Sequence, residues 1–84
     1  MDIDVQRMID SIAQYLETNS ETIQNIIRVI HERTVVSIAT LAEELGTEVY
    51  TLVYQLAGLK TIEFSTNNVY TMCSLSPRGT DMIA

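Results

Sequence analysis

Basic residues are scarce in this chain: five Lys and Arg stand against eleven Asp and Glu, for a net charge of −6. Such a field repels phosphate at long range and favours basic partner surfaces. It does not exclude DNA, because a local cationic patch can oppose the net charge, but that patch then has to be found. The imbalance lies in residues 1 to 48, where nine acids face Arg7, Arg28 and Arg33. Residues 49 to 84 set Glu63 and Asp81 against Lys60 and Arg78.

Cys73 is the single cysteine, which excludes an internal disulfide and a thiolate metal cluster. One proline, three glycines and 46 % hydrophobic residues exclude the profile of a disordered chain. No apolar run approaches the roughly 20 residues of a membrane-spanning helix, and Met1-Asp2-Ile3-Asp4 carries the wrong charge for a signal peptide. A cytoplasmic protein without a membrane partner is expected. With 84 residues, a second independent core would not fit, so one domain over 1–84 is expected.

What is present is helical periodicity followed by alternation. Val5, Met8, Ile9, Ile12 and Leu16 form one stripe of a first helix over 1–18, with Asp2 and Asp4 at its positive end. Thr18-Asn19-Ser20-Glu21 fits a T-x-x-E capping box, and Ile23, Ile26, Ile27 and Ile30 continue as helix two over 20–33. Thr34-Val35-Val36 is β-branched and reads as a brief strand or extended link.

Ser37 can cap helix three, whose face is Ile38, Leu41, Ala42 and Leu45 and whose stop is Gly46. Thr47 is expected to recap at once, giving helix four an inner row of Val49, Leu52, Val53 and Leu56. The helix-turn-helix spans 37–59. Alternation then takes over over 61–75: Ile62 and Phe64 flank Glu63, and Val69, Thr71, Cys73 and Leu75 alternate with Tyr70, Met72 and Ser74. Ser65 to Asn68 makes the turn of a hairpin, and Thr80 to Ala84 could begin a last helical turn. The fold class expected is mainly α with a small β-hairpin.

No enzyme signature accompanies these elements. His31 near the end of helix two reads as a surface cap, and Cys73 as a core thiol with no histidine nearby in sequence. Glu43 and Glu44 point about 100° apart on a helix, so one site cannot easily use both. Glycine-rich phosphate loops and His/Cys metal spacings are absent, so no metal and no cofactor are expected.

The element order resembles a winged helix-turn-helix domain preceded by one extra helix. Two stretches carry the likeness. In Leu41-Ala42-Glu43-Glu44-Leu45-Gly46 the small Ala42 permits close helix contact, Gly46 makes the turn, and Leu52 follows at the spacing of the family's apolar residue. Leu75-Ser76-Pro77-Arg78-Gly79 is similar to the L-[ST]-x-[KR]-G end of the wing in bacterial winged-helix repressors of the antibiotic-resistance-regulator type. The likeness covers about residues 20 to 84. The family commonly writes Gly-Leu-Ile or Gly-Leu-Val after the recognition helix, whereas here Gly58 comes earlier than that step.

The outward side of helix four carries Thr47, Glu48, Tyr50, Thr51, Tyr54 and Gln55, and the wing carries Asn67 and Asn68. Thr, Tyr and Gln can hydrogen-bond phosphates or base edges, but this face offers no cation. Two tyrosines among Thr and Gln suit a protein interface, so the leading expectation is a protein partner, with the chain acting as an adaptor or inhibitor. For each tyrosine, packing against the wing or helix one is an equal expectation. The alternative, implied by the resemblance, is a dimeric DNA-binding regulator. In it Arg28, Arg33, Lys60 and Arg78 hold phosphates, two copies of helix four read successive major grooves, and the Val5, Met8, Ile9, Ile12, Leu16 stripe pairs the subunits. The placement of the four basic residues discriminates: clustering beside helix four favours DNA, and dispersal favours protein.

Overall fold

The computed structural model of the chain describes residues 3–67 and 69–83. The expected helix-start role of Asp2 and wing role of Asn68 therefore lie outside the described residues. Helices α1 (Ile3–Tyr15) and α2 (Ser20–Arg33) lead into the short strand β1 (Val35–Ser37). Helices α3 (Ile38–Leu45) and α4 (Val49–Gly58) follow, then strands β2 (Ile62–Asn67) and β3 (Tyr70–Leu75), helix α5 (Pro77–Thr80) and a 3-10 turn over Asp81–Ile83. The class is mainly α with a small antiparallel sheet.

The apolar stripe of α1 faces this chain's own core. Val5, Ile9 and Ile12 are buried with Ala13, and Met8 and Leu16 pack partly against the same cluster. Val5, Ile9 and Ile12 are thus committed to the core of their own chain, and of the five residues of the possible dimer face only Met8 and Leu16 keep partly exposed surface. Ile23, Ile26, Ile27 and Ile30 of α2 are all at most 2 % exposed, so α2 is the central rod of the molecule. Outside the stripe, a polar clasp ties α1 to α2. The Asp10 carboxylate accepts from the Ser20 hydroxyl at 2.5 Å and the Gln6 amide at 2.8 Å, and these bonds, Ser20 first, hold its carboxyl below the usual range.

The cap of α2 falls one residue later than the capping box suggests. Glu17 takes a positive φ of 57° and the Thr18 N–H closes α1 on the Ala13 carbonyl at 2.9 Å. Thr18 is thereby committed to the end of α1. Asn19, in extended conformation, caps instead, its Oδ1 accepting from the Thr22 N–H at 2.8 Å.

The sheet order is β1-β3-β2, all antiparallel, so the expected hairpin gains β1 as a third strand. Cys73 lies in the middle strand between Val36 and Phe64 and is fully buried. Burial pushes its thiol up to about 11, so it stays protonated at neutral pH, which fits a core thiol. Val69 departs from the expected inward alternation. It belongs to the hairpin turn, before β3 begins, and is 84 % exposed. The last helix also begins earlier than expected, at Pro77, because Ser76 caps it by accepting from the Gly79 N–H at 3.1 Å. Met82, just beyond, is buried against the core.

Candidate functional site

The helix-turn-helix is set by two local devices. Ser37 caps α3, its Oγ accepting from the Thr40 N–H at 3.1 Å, and Gly46 ends it at φ 105°. A side chain at Gly46 would be strained by that φ and would meet the Glu48 carboxylate. Thr47 does not recap α4 as its sequence position suggests. Glu48 takes the cap position in helical conformation with no side-chain bond, and the Gly46 and Thr47 carbonyls receive the Val49 and Tyr50 N–H groups, each at 3.2 Å. A turn this tight satisfies the first donors from the backbone, so Thr47 is left exposed for other use.

The inner row of α4, Val49, Leu52, Val53 and Leu56, is buried. Its outer side carries Thr47, Glu48, Tyr50, Thr51, Tyr54 and Gln55, all exposed, with no side-chain hydrogen bond or ion pair among the described residues. Tyr50 is 42 % and Tyr54 57 % exposed. Tyr54 also stacks on Phe64 of β2, with ring centroids 4.9 Å apart and planes tilted 45°. The equal expectation of packing against the wing therefore describes Tyr54 in part, since it meets Phe64 and still stays exposed. Asn67, at the end of β2, pairs with Tyr70 and is exposed.

The four candidate phosphate-holding cations are dispersed. Arg28 pairs with Glu32 along α2 at 3.9 Å, and Arg33, the last residue of α2, pairs with Glu44 of α3. Lys60 and Arg78 do come together, lining one concavity with Glu63 and Ser76 at the C-terminal end of α4 and the base of the hairpin. None of the four lies on the outer side of α4. His31 is exposed near the end of α2, whereas Cys73 of β3 is buried.

The base of the hairpin explains the L-S-P-R-G stretch. The Ser76 hydroxyl donates to the Lys60 carbonyl at 2.5 Å while accepting from the Gly79 N–H, and the Ser76 N–H donates to the Thr61 carbonyl at 3.1 Å. A Cβ at Gly79 would lie 2.0 Å from that Thr61 carbonyl oxygen, so only glycine lets α5 come this close. Fully buried Thr61 directs its hydroxyl to the Leu56 carbonyl at 2.8 Å. The left-handed residue after α4 is Lys60, at φ 66°, and the Thr61 N–H reaches back to the Leu56 carbonyl at 3.1 Å. Gly58 ends the helix without a positive φ and with nothing within 4 Å of a Cβ placed on it. Lys60, and not Gly58, thus takes the left-handed conformation after the helix.

Sequence periodicity missed one feature, a groove of ≈ 460 Å³ between the helix-turn-helix and the hairpin. Glu43 of α3, Thr47 and Tyr50 beside the turn, and Tyr70 of β3 line it. Only strand register brings Tyr70 there: Ser37, where α3 begins, pairs with Met72, which carries the start of β3 past that end of α3.

One solved structure shares this arrangement: the oxidised form of MarR from E. coli superimposes with a TM-score of 0.65 and 13 % identity, over 94 % of this chain and 60 % of that one. The fold is a winged helix. At such identity the likeness speaks to the fold of the winged helix alone, and the chain spans about 60 % of the length of the MarR chain. No family model matches the sequence, and no curated protein is similar to it. Among the described residues of this winged helix, no helix is long and apolar enough to cross a membrane.

Proposed function

We propose that this winged helix is a non-enzymatic regulator that reads duplex DNA with the outer side of α4. The observation that carries the reading is the arrangement of α4. Its inner row is buried in the core, and Thr51, Tyr54 and Gln55 on the helix, with Thr47 just before it, are exposed and make no side-chain hydrogen bond among the described residues. Glutamine can pair with adenine, and Thr or Tyr hydroxyls can take phosphate or base-edge bonds. The fold likeness to MarR supports the same reading by analogy of architecture.

The charges bound how such binding must look. Among the described residues near α4 and the hairpin, Lys60 and Arg78 are the cations without an ion pair, so about two phosphates per copy would be neutralised. The slope of log K against log salt would then be roughly −2 per copy, shallow for a DNA-binding protein. Affinity must rest on base contacts and on a second copy, paired through a surface other than the buried stripe of α1. The test is fluorescence anisotropy of labelled duplex titrated at low and then moderate salt. Sequence-selective binding that the double variant Thr51→Ala, Gln55→Ala abolishes supports the reading; no binding at low salt sinks it.

A second reading has its own observations, the first being that the four candidate cations are dispersed and not clustered beside α4. Tyr50 and Tyr54 are exposed on a face without a single cation, which suits a protein partner better than a phosphate backbone. In that case the chain is an adaptor or inhibitor, and Tyr50→Ala with Tyr54→Ala removes the partner in a pull-down while the fold persists.

A further inference from the structure

We propose that the groove between the helix-turn-helix and the hairpin seats a cationic side chain, a lysine or arginine presented by a basic segment of a partner protein. The groove is an open concavity of ≈ 460 Å³, and four of its lining side chains supply what a cation needs. Glu43 gives a carboxylate at one wall. Tyr50 and Tyr70, 42 % and 58 % exposed, give aromatic faces. The hydroxyl of Thr47 adds an acceptor within the same lining.

Charge decides the class of occupant. No cation lines the groove. Glu44, the neighbour of Glu43, is already paired with Arg33, whereas Glu43 has no ion pair or hydrogen bond among the described residues. The chain as a whole, Glu43 included, carries a net charge of −6, which favours basic segments at long range. A cation beside both an aromatic ring and a carboxylate gains from each contact. The inference goes beyond the DNA reading and does not rest on it. Thr47 and Tyr50 belong to both surfaces, so an occupied groove and an engaged α4 compete for the same side chains.

The test is an NMR titration of the full chain, without DNA, using the capped pentapeptide Gly-Ser-Arg-Ser-Gly and its counterpart with citrulline, a neutral isostere of arginine. The expected result is amide shifts centred on Glu43, Thr47, Tyr50 and Tyr70, with the citrulline peptide at least fivefold weaker. Glu43→Gln should lower the arginine peptide to the citrulline level, and Tyr70→Ala should weaken it at least threefold. Glu17→Gln, which changes net charge equally at an exposed site elsewhere, should leave binding within twofold. Equal losses from Glu43→Gln and Glu17→Gln would reduce the effect to general attraction and overturn the proposal, as would shifts centred elsewhere. Because no DNA is present, failure here leaves the DNA reading untouched, and failure of DNA binding leaves this result readable.

Discussion

The base of the hairpin and the outer side of α4 meet at the same helix, yet they are built by opposite rules. At the base, Lys60, Thr61, Ser76 and Gly79 lock backbone to backbone, with every polar atom of buried Thr61 and Ser76 partnered and no room for one more carbon. On the outer side, the side chains of Thr47, Thr51, Tyr54 and Gln55 make no hydrogen bond or ion pair among the described residues, and Tyr54 meets Phe64. The difference separates two meanings of a motif. One of the two stretches that carry the resemblance, Leu75 to Gly79, braces the base of the hairpin, whereas neither stretch includes the outer row of α4. A likeness at the base therefore says little about what the outer side binds.

The largest effect should come from breaking the base. Gly79→Ala drives a methyl onto the Thr61 carbonyl, a rigid backbone atom, and should cost about 3 kcal/mol by the overpacking range, read as a lowered denaturant midpoint. Ser76→Ala removes the cap of α5 and leaves the Lys60 carbonyl without its hydroxyl donor. A loss of about 1.5 kcal/mol is expected in the same experiment, between the cost of a lost cap and that of a lost buried hydrogen bond. Either substitution should leave the α4 outer row chemically intact, so residual binding by the folded fraction should be unchanged.

How much of this was legible in the sequence follows the same division. Helical stripes such as Ile23, Ile26, Ile27 and Ile30 are legible because burial forces a period, and Ser37 is legible as a cap because its hydroxyl has one nearby orphan donor to serve. Thr18 and Thr47 show the limit. Each has the right type for a cap, but backbone bonds closing α1 or tightening the turn settle the geometry first. The α1 stripe shows another: periodicity gives a face and not its occupant, so a partner helix and the chain's own α2 look alike. The grouping of Glu43, Tyr50 and Tyr70 could not be read at all, since it depends on strand register between β1 and β3.

Lys60→Gly would sharpen the comparison in the opposite direction. A lysine at φ 66° sits where glycine is favoured, and glycine there should stabilise by about 1 kcal/mol, raising the denaturant midpoint. The same change removes one of the two cations that share the concavity with Glu63. On the DNA reading, the protein becomes more stable while its salt slope falls by about 1. A slope unmoved by the substitution would place Lys60 outside the DNA interface and leave its role purely conformational.

The smallest stability effect belongs to the outer side of α4, and it is the most informative. Thr51→Ala with Gln55→Ala should change stability by no more than about 0.5 kcal/mol, because both side chains are exposed and bonded to nothing within the described residues. Alanine even has the better helix propensity, which offsets any small loss. A larger loss of stability would mean that these side chains serve the fold, and α4 would then resemble the base of the hairpin. An unchanged midpoint together with lost duplex binding would instead assign their retention to recognition. The two regions would then differ in function as they differ in packing, with the base keeping the winged helix folded and the uncommitted row choosing what it meets.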